Sequence, residues 1–239
     1  MAKERLDKIL SAQGVASRSE VKTMIRRGLV TVDGEVVRAS EDKFDPELVS
    51  IAVEGRQIGF KRHLYIMMNK PEGVICATSD GRIRTVVDLL PEHLQRRGLF
   101  PAGRLDRDTT GFVLITDDGE LAHRMLAPKS HVYKLYEVGC DRTLCDDDVK
   151  SFAEGIVHGD EHFQPAKMKL TGDNTALVEI CEGKFHQIKK MFTSVGAVVT
   201  SLRRIRIGEV SLDAALAPGE CRELSSEEVQ LLLSRKSGF

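Results

Sequence analysis

The part of the chain best suited to chemistry is a short charged loop that directly precedes an apolar segment. The loop spans residues 103–111 and carries Asp106 and Asp108, and the apolar segment Phe112–Thr116 follows it as a predicted buried strand. An ionised carboxylate held in such a loop can act as a nucleophile or as a general base. On spacing alone, Asp106 could equally pair with a neighbouring arginine in a structural turn.

The positive charges are clustered, although a net charge of -1 gives the whole protein no attraction to nucleic acid. Residues 184–206 contain no Asp or Glu and carry Lys184, Lys189, Lys190, Arg203, Arg204 and Arg206. A second cluster consists of Arg18, Lys22, Arg26 and Arg27, the first three of which recur at four-residue intervals and so share one helix face. Both clusters permit RNA binding, and a solvated basic face is the alternative.

The first quarter of the chain predicts two helices and a small sheet. Leu6, Ile9 and Leu10 form the apolar side of the first helix, and a capping box of Ser17 and Glu20 starts the second, which ends near residue 28. Residues 29–37 predict a β-hairpin with an Asp-Gly turn at 33–34, and the apolar stretch 49–53 closes the unit. Residues 57–63 interrupt the apolar pattern and are predicted to be the linker.

From residue 63 onward, predicted strands and helices alternate irregularly, which favours an α+β domain with an antiparallel or mixed sheet. The predicted strands are 64–68, 112–116, 135–139, 176–180 and 205–212, and the predicted helices are 120–126, 146–154 and 186–195. Gly-x-Gly-x-x-Gly and P-loop patterns are absent, so neither a dinucleotide nor ATP is implied.

Two features of the sequence bear on compartment and metal binding. No apolar run approaches the roughly 20 residues needed to span a bilayer, and the first ten residues are charged where a secretory signal peptide would be apolar. The five cysteines include no CxxC pair, so neither a zinc site nor a disulfide framework is expected. We therefore expect a cytoplasmic protein without a metal site or a membrane partner.

Several segments resemble the pseudouridine synthases in the same order along the chain. The most specific is Arg-Leu-Asp-x-x-Thr-x-Gly at residues 104–111, and the others are 69–73, 134–138, 182–192, 202–208 and 218–222. In front of them, residues 5–8 and 17–34 resemble the alpha-L RNA-binding domain. The resemblance implies a small alpha-L domain at residues 1–58, followed at residues 63–239 by an α+β catalytic domain with a mixed or antiparallel sheet.

The resemblance also implies roles for single residues. Asp106 would be the catalytic carboxylate, Lys189 its cationic partner where many relatives carry Arg, and Tyr136 the ring that stacks on a flipped uracil. Tyr133 is the local rival of Tyr136, and Lys189 could instead be a solvated lysine. Arg104 would grip the RNA or fill the gap left by the flipped nucleotide, unless it pairs within the loop. The other expected RNA contacts are Arg18, Lys22, Arg26, Arg27, Lys184, Lys190, Arg203 and Arg204.

The implied reaction is the isomerisation of a uridine to pseudouridine. The bond between ribose and the base nitrogen breaks, the uracil turns, and it rejoins ribose through carbon 5. No electrons or phosphates are exchanged, so no cofactor is expected. The helix around Lys189 is most similar to the RsuA-type branch, which implies small-subunit (16S) ribosomal RNA as the substrate, and we expect a monomer. Open alternatives are large-subunit ribosomal RNA, a non-catalytic ribosome-assembly protein, and a glycosidase that uses Asp106 with Asp108.

Overall fold

The computed structural model describes residues 3–238 and divides them into two compact units. The small unit runs to His63 and also includes Pro91–Leu99, and the large unit comprises Leu64–Leu90 and the chain from Phe100 onward. The predicted boundary between residues 58 and 63 is close to the first of these divisions. The outermost positions of the two predicted domains, residues 1, 2 and 239, lie outside the described part of the chain.

Two helices form one side of the small unit. They are α1 (Leu6–Ala12) and α2 (Arg18–Arg26), and the short strand β1 (Glu4–Arg5) precedes them. The predicted capping box is present, because the Ser17 side chain accepts from the Glu20 amide and the Glu20 carboxylate accepts from the Ser17 amide. The apolar sides of both helices pack into one core with the strands that follow.

A four-stranded sheet in the order β3-β2-β5-β6 forms the rest of the small unit. Its strands are β2 (Val30–Val32), β3 (Glu35–Val36), β5 (Ile51–Val53) and β6 (Arg56–Ile58), and β4 (Lys43–Phe44) pairs with β1 instead. The predicted hairpin is confirmed: Asp33 and Gly34 both have positive φ, which a tight turn between antiparallel strands requires. The predicted linker began too early, because Gln57 and Ile58 pair with β5 as part of β6.

Pro91–Leu99 belong to the small unit, which the sequence did not predict. The Arg96 guanidinium donates to the backbone oxygens of Lys61 and Arg62, at 2.8 Å each, and Leu94 and Leu99 are buried. The segment includes a short 3₁₀ turn at Glu92–Leu94. The sequence carried no sign of this packing because its partners are more than 30 positions away along the chain.

A nine-stranded mixed sheet organises the large unit, as predicted. The path through the sheet is β13-β14-β10-β15-β9-β7-β17, with β8 paired to β9 and β16 to β15. Only the β15–β9 pair is parallel among the described strands. The strands are β7 (Tyr65–Lys70), β8 (Phe100–Ala102), β9 (Thr110–Thr116), β10 (Lys134–Cys140), β13 (Lys167–Gly172), β14 (Thr175–Ile180), β15 (Val199–Ile207), β16 (Val210–Ser211) and β17 (Cys221–Glu223).

Four α-helices, a short 3₁₀ turn at Pro128–Ser130 and a small hairpin complete the described part of the large unit. The helices are α3 (Gly119–Leu126), α4 (Asp146–Glu154), α5 (Gln187–Ser194) and α6 (Ser226–Leu231), and the hairpin is β11 (Ile156–His158) with β12 (Glu161–Phe163). The predicted strand 205–212 is wrong, because the chain turns at Gly208 and Glu209 before it returns as β16. Gly208 has a φ of 58°, and a Cβ there would lie 2.5 Å from the Leu231 carbonyl oxygen.

The core of the large unit lies on both faces of the central strands. Strand β9 is buried along its length, and Phe112 and Leu114 pack with Met67, Met125 and Ile207 in one cluster. Strand β9 therefore forms a rigid base for residues 103–111, which directly precede or open it. No helix in residues 3–238 has the length and apolar character needed to cross a membrane.

Candidate active site

A cavity of about 680 Å³ opens beside the charged loop at residues 103–111, which we call the Asp106 loop. Its floor comes from strands β10, β14 and β15 through Lys134, Tyr136, Ile180 and Arg204, among others. Its walls are the Asp106 loop and the segment 182–189, which leads into α5. The volume is in the range of sites that take one small molecule or one nucleoside.

Asp106 lies in this cavity and is paired with a cation. The Nζ of Lys189 is 3.1 Å from Oδ2 of Asp106, and the Nε2 of His186 is 3.4 Å from Oδ1. Lys189 also contacts Oδ1 of Asp108 at 2.7 Å. The expected contact between Asp106 and Lys189 is therefore present, and the alternative of a solvated lysine does not hold because only 26% of its side chain is exposed.

The contact between Lys189 and Asp108 shifts the pKa of both groups. Burial of the Lys189 ammonium acts against its charge, but hydrogen bonds to Asp108 and Asp106 outweigh burial and raise the pKa of Lys189. The hydrogen bond from Lys189 lowers the pKa of Asp108. Asp108 is thus a poor general acid, because a glycosidase pair requires one carboxyl group that stays protonated.

A buried lysine anchors the Asp106 loop from behind. Lys70 is fully buried at the end of β7, and its ammonium donates to the backbone oxygens of Thr109 at 2.7 Å, Pro71 at 3.0 Å and Arg107 at 3.3 Å. The backbone amide of Gly73 also donates to the Arg107 oxygen, at 2.9 Å. The matched segment 69–73 therefore supports the loop, a role that the sequence resemblance did not specify.

Arg204 is buried in the floor of the cavity and holds the site together, and its predicted contact with RNA stays a prediction. Its side chain is buried, with Nε 2.7 Å from the Phe112 oxygen and Nη2 2.8 Å from the Gly103 oxygen. Its Nη1 lies 3.5 Å from the Tyr136 hydroxyl. The guanidinium of Arg204 thus joins β9, β10 and the start of the Asp106 loop. It can do so because its several N–H donors are held in a rigid plane.

Gly111 is required where the loop enters the sheet. Strands β9 and β15 run parallel here, and Gly111 is in register with Arg204. A Cβ at Gly111 would lie 2.2 Å from the Arg204 carbonyl oxygen, and the residue has a φ of +97°. Both facts exclude a side chain, which explains why the matched motif ends in glycine.

Tyr136, and not Tyr133, faces the cavity. Tyr136 is 7% exposed and lines the cavity beside Arg204, whereas Tyr133 precedes β10 and does not line it. Strand alternation gives the reason, since Lys134 and Tyr136 share one face and Tyr133 points the other way. The structure thus decides between the two tyrosines on position, and the role of Tyr136 stays a prediction.

The sequence matches known families over most of its length. The family model described as RNA pseudouridylate synthase matches residues 64–194, and the S4 domain model matches residues 4–49. The chain belongs to the RNA pseudouridylate synthase family. This confirms the predicted fold, a small N-terminal RNA-binding domain followed by an α+β synthase domain, and it confirms that the protein is an enzyme of this class.

Relatives of this synthase match it over nearly the whole chain. An uncharacterised RNA pseudouridine synthase of Bacillus subtilis is 45% identical over 95% of this chain and 98% of its own. The ribosomal small subunit pseudouridine synthase A of Escherichia coli is 42% identical over 94% of this chain and 98% of its own. A solved structure described as a pseudouridylate synthase superposes with a TM-score of 0.67 at 35% identity, covering 95% of this chain and 99% of that one.

Most of the positive charges in the stretch 184–206 of the synthase are paired with carboxylates from other parts of the chain. Lys190 pairs with Glu161, Lys184 lies 3.5 Å from Glu182 and donates to the His162 oxygen, and Arg206 pairs with Glu179 at 2.5 Å. Arg203 pairs with Glu137 at 3.8 Å on the sheet face that points away from the cavity. The structure therefore does not bring Arg203 to the site, and it gives Lys184 and Lys190 carboxylate partners that the sequence stretch lacks.

The basic side of α2 in the synthase is organised by one buried carboxylate. Asp7 is fully buried, accepts hydrogen bonds from Arg5 and Arg18, and lies 3.8 Å from Lys22. Burial of the carboxyl opposes its ionisation, but the hydrogen bonds from the two arginines outweigh burial and lower the pKa of Asp7 to about 2. Arg26 and Arg27 are exposed and lie further along the helix, so they have no part in this cluster.

Arg104 is exposed at the rim of the cavity, and within residues 3–238 it makes no hydrogen bond or ion pair. The alternative that it pairs within the loop is therefore not realised.

Thr109 also lines the cavity, but its side chain is buried. In the described structure its hydroxyl has no hydrogen-bond partner. Residues 3–238 contain no group of three or more His, Cys, Asp or Glu side chains that could hold a metal ion.

Proposed function

We propose that this synthase converts a specific uridine of small-subunit (16S) ribosomal RNA to pseudouridine, with Asp106 as the catalytic carboxylate and without a cofactor. The observation that carries the proposal is the position of Asp106, which lies in a nucleoside-sized cavity, 3.1 Å from the Lys189 ammonium. A carboxylate with a cation beside it remains charged when RNA excludes water from the site.

The residues around Asp106 suit a nucleotide that has left its stack. The target base of a folded RNA must be flipped out before its glycosidic bond can be reached. Tyr136 offers an aromatic face on the cavity floor, with a hydroxyl suited to moving the proton on carbon 5. Arg104 is free at the rim to take a phosphate or to fill the vacated position in the helix.

The small unit supports RNA as the substrate. It matches the S4 domain and exposes Arg18, Arg26 and Arg27 on α2, where they are available to phosphates. A fixed domain of this kind can anchor one RNA element while the large unit takes a single uridine, which favours one modified position over many.

The choice of 16S RNA is supported by the relatives. The Escherichia coli relative that aligns over 94% of this chain is named for the small ribosomal subunit. The same name is carried by a Yersinia pestis relative, which is 41% identical over 94% of this chain. We therefore infer a role in ribosomal RNA processing, with large-subunit RNA as the rival substrate.

The test is to incubate the purified protein separately with 16S, 23S and transfer RNA transcripts and to map pseudouridine by carbodiimide modification and primer extension. Asp106→Asn serves as the inactive control on each RNA. We expect one modified position, in 16S RNA, with the native protein only. Product confined to 23S or transfer RNA would refute the substrate, and no product on any transcript would refute the proposed function.

A further inference from the structure

Lys134 is a buried cation for which the protein supplies almost no partner. Its side chain is 6% exposed, and within residues 3–238 its ammonium makes a single hydrogen bond, a long one of 3.5 Å from Nζ to the Cys181 backbone oxygen. No carboxylate oxygen of residues 3–238 lies within 4 Å of Nζ, and the charged group that acts on it most strongly is another cation, Arg204. Burying an ammonium in this way is costly unless something pairs with it.

Lys70 shows how the same fold treats a purely structural lysine. Lys70 is equally buried, but its ammonium has three backbone oxygens within 3.3 Å and does not line the cavity. Lys134 has one distant acceptor and lines the cavity. The contrast indicates that the Lys134 ammonium is directed at a group that enters the cavity.

The position of Lys134 relative to Tyr136 indicates which group of a bound nucleotide the ammonium would contact. The two residues are i and i+2 on β10, so their side chains leave the same face of the strand, roughly 7 Å apart along it. If the uracil lies against the Tyr136 ring, as in the proposed function, then the edge of the same base is within reach of the Lys134 ammonium. The edges of uracil carry two carbonyl oxygens, O2 and O4, which are hydrogen-bond acceptors.

We propose that Lys134 donates a hydrogen bond to a carbonyl oxygen of the flipped uracil and stabilises the negative charge that the ring acquires while it is detached from ribose. This inference rests on the proposed function, because it concerns a step of that reaction. When the bond between C1′ of ribose and N1 breaks, its electron pair goes to the ring and is shared among N1, O2 and O4. When C5 then bonds to C1′, C5 loses its proton and N1 gains one, so the reaction is redox-neutral.

A donor directed at an oxygen where charge develops lowers the barrier more than it strengthens substrate binding. Lys134→Met, which keeps length and removes the charge, should therefore lower the single-turnover rate at saturating RNA by about 100-fold. The RNA concentration at half-saturation should hardly change. Lys134→Arg should recover most of the rate, because the guanidinium also donates. The matched control is Lys169→Met, a change of an exposed lysine on the edge strand β13.

The pH profile gives a second readout. Burial, and then the neighbouring Arg204, lower the pKa of Lys134 to about 8. The ammonium is the donor, so the second-order rate constant for dilute RNA should fall as the pH rises through about 8, since this constant reports groups of the free enzyme. Cys181, after β14, lies beside Lys134. The other ionisable or charged groups that line the cavity are Tyr136 on β10, Arg204 on β15, Arg104 and Asp106 in the Asp106 loop, and Glu182, Lys184, His186 and Lys189 in the segment 182–189.

The experiment compares the native protein with the three variants between pH 6 and 10, on the RNA that the native protein modifies. We expect the fall near pH 8 in the native protein and in Lys169→Met, and its absence in Lys134→Met and Lys134→Arg. Deprotonation of uridine itself at higher pH is common to all four proteins. If Lys134→Met does not fold, the test rests on Lys134→Arg. A fall in the second-order rate constant near pH 8 that persists in Lys134→Arg overturns the proposal.

Two further outcomes would also overturn it. One is a Lys134→Met variant with the native rate and pH profile, and the other is weaker RNA binding at an unchanged maximal rate, which would make Lys134 a simple binding residue. If the native protein and Lys169→Met form no pseudouridine on any RNA, the proposed function fails and this inference fails with it. A failure confined to Lys134 leaves the proposed function intact.

Discussion

The ammonium of Lys189 lies 3.1 Å from one carboxylate oxygen of Asp106, although the two residues are more than 80 positions apart in the chain. Lys189 is on α5, and Asp106 is in the loop that Lys70 and Arg204 hold against β9. The pair thus forms only when the sheet brings the loop and the helix together at one cavity.

Replacing Asp106 should abolish the reaction without abolishing RNA binding. Asp106→Asn keeps size and hydrogen bonding but removes the charge, so pseudouridine formation should fall by at least about 10³-fold, the scale seen when a catalytic group is removed. RNA affinity, measured by filter binding, should remain within a few fold. Asp108→Asn is the control and should retain most activity. A fall of much less than about 10³-fold in Asp106→Asn would refute the assigned role.

The loss of rate on replacing Lys189 should depend on whether the new side chain is also a cation. Lys189→Ala leaves Asp106 without its ion pair and should lower the single-turnover rate by more than about 10-fold, whereas Lys189→Arg should lose less because the charge is kept. Lys190→Ala, on the same helix but paired with Glu161, is the matched control. Native rates in both Lys189 variants at saturating RNA would show that the residue is only part of a basic face.

Gly111→Ala should destabilise the large unit. The added Cβ would lie 2.2 Å from the Arg204 carbonyl oxygen at a φ of +97°, so β9 and β15 would have to separate. We expect a loss of at least about 3 kcal/mol in the free energy of unfolding, measured by urea denaturation. Gly119→Ala is the control, since no atom lies within 4 Å of its Cβ, and it should be neutral or up to about 1 kcal/mol more stable. Equal effects of the two changes would contradict the structure.

Asp7 should make the small unit sensitive to acid. Its folded-state pKa of about 2 lies below the ordinary value of 3.8, so its stabilising effect is complete above pH 4 and disappears as the pH falls through about 2. Asp7→Asn should cost on the order of 1 to 2 kcal/mol at neutral pH, because its arginine partners are half exposed and partly screened. Hydrogen exchange of the α1 and α2 amides from pH 2 to 7 measures this.

The control for Asp7 is Asp42→Asn, a change at an exposed carboxylate of the same unit. It should leave the exchange of α1 and α2 unchanged at every pH. A difference between native protein and Asp7→Asn that stays constant from pH 6 to pH 2 would show that the stabilisation does not come from the ionised carboxylate.

The exposed end of α2 should contribute to RNA affinity through phosphates. If Arg26 and Arg27 each contact one phosphate, the double change to Gln should flatten the slope of log affinity against log salt by about 1.4 to 1.8. The control changes Lys167 and Lys169 to Gln on the edge strand β13, which alters net charge equally. Equal slopes in the two double variants would mean that α2 faces something other than RNA. Deleting residues 1–58 is a poorer test, because Pro91–Leu99 pack as part of the small unit and would lose most of their packing partners.

The sequence by itself determined the features that depend on neighbouring residues. The capping box of α2, the Asp33–Gly34 turn and helix α4 appear where they were predicted, because each is fixed by hydrogen bonds between residues at most four positions apart. The Asp106 loop was found as a continuous motif, and the family resemblance it carried is confirmed. The position of Tyr136 on the cavity face follows from strand periodicity, once β10 is placed.

Only the tertiary structure decided which charges are free. Arg204 looked like a surface cation, but its acceptors, the backbone oxygens of Phe112 and Gly103, are about 90 to 100 positions away and bury it. Lys190 and Arg203 sit in a stretch without acids, yet β12 and β10 bring Glu161 and Glu137 to them. The net charge of a surface depends on pairs made across the sheet, and local sequence does not encode such pairs because their register is set by packing over the whole unit.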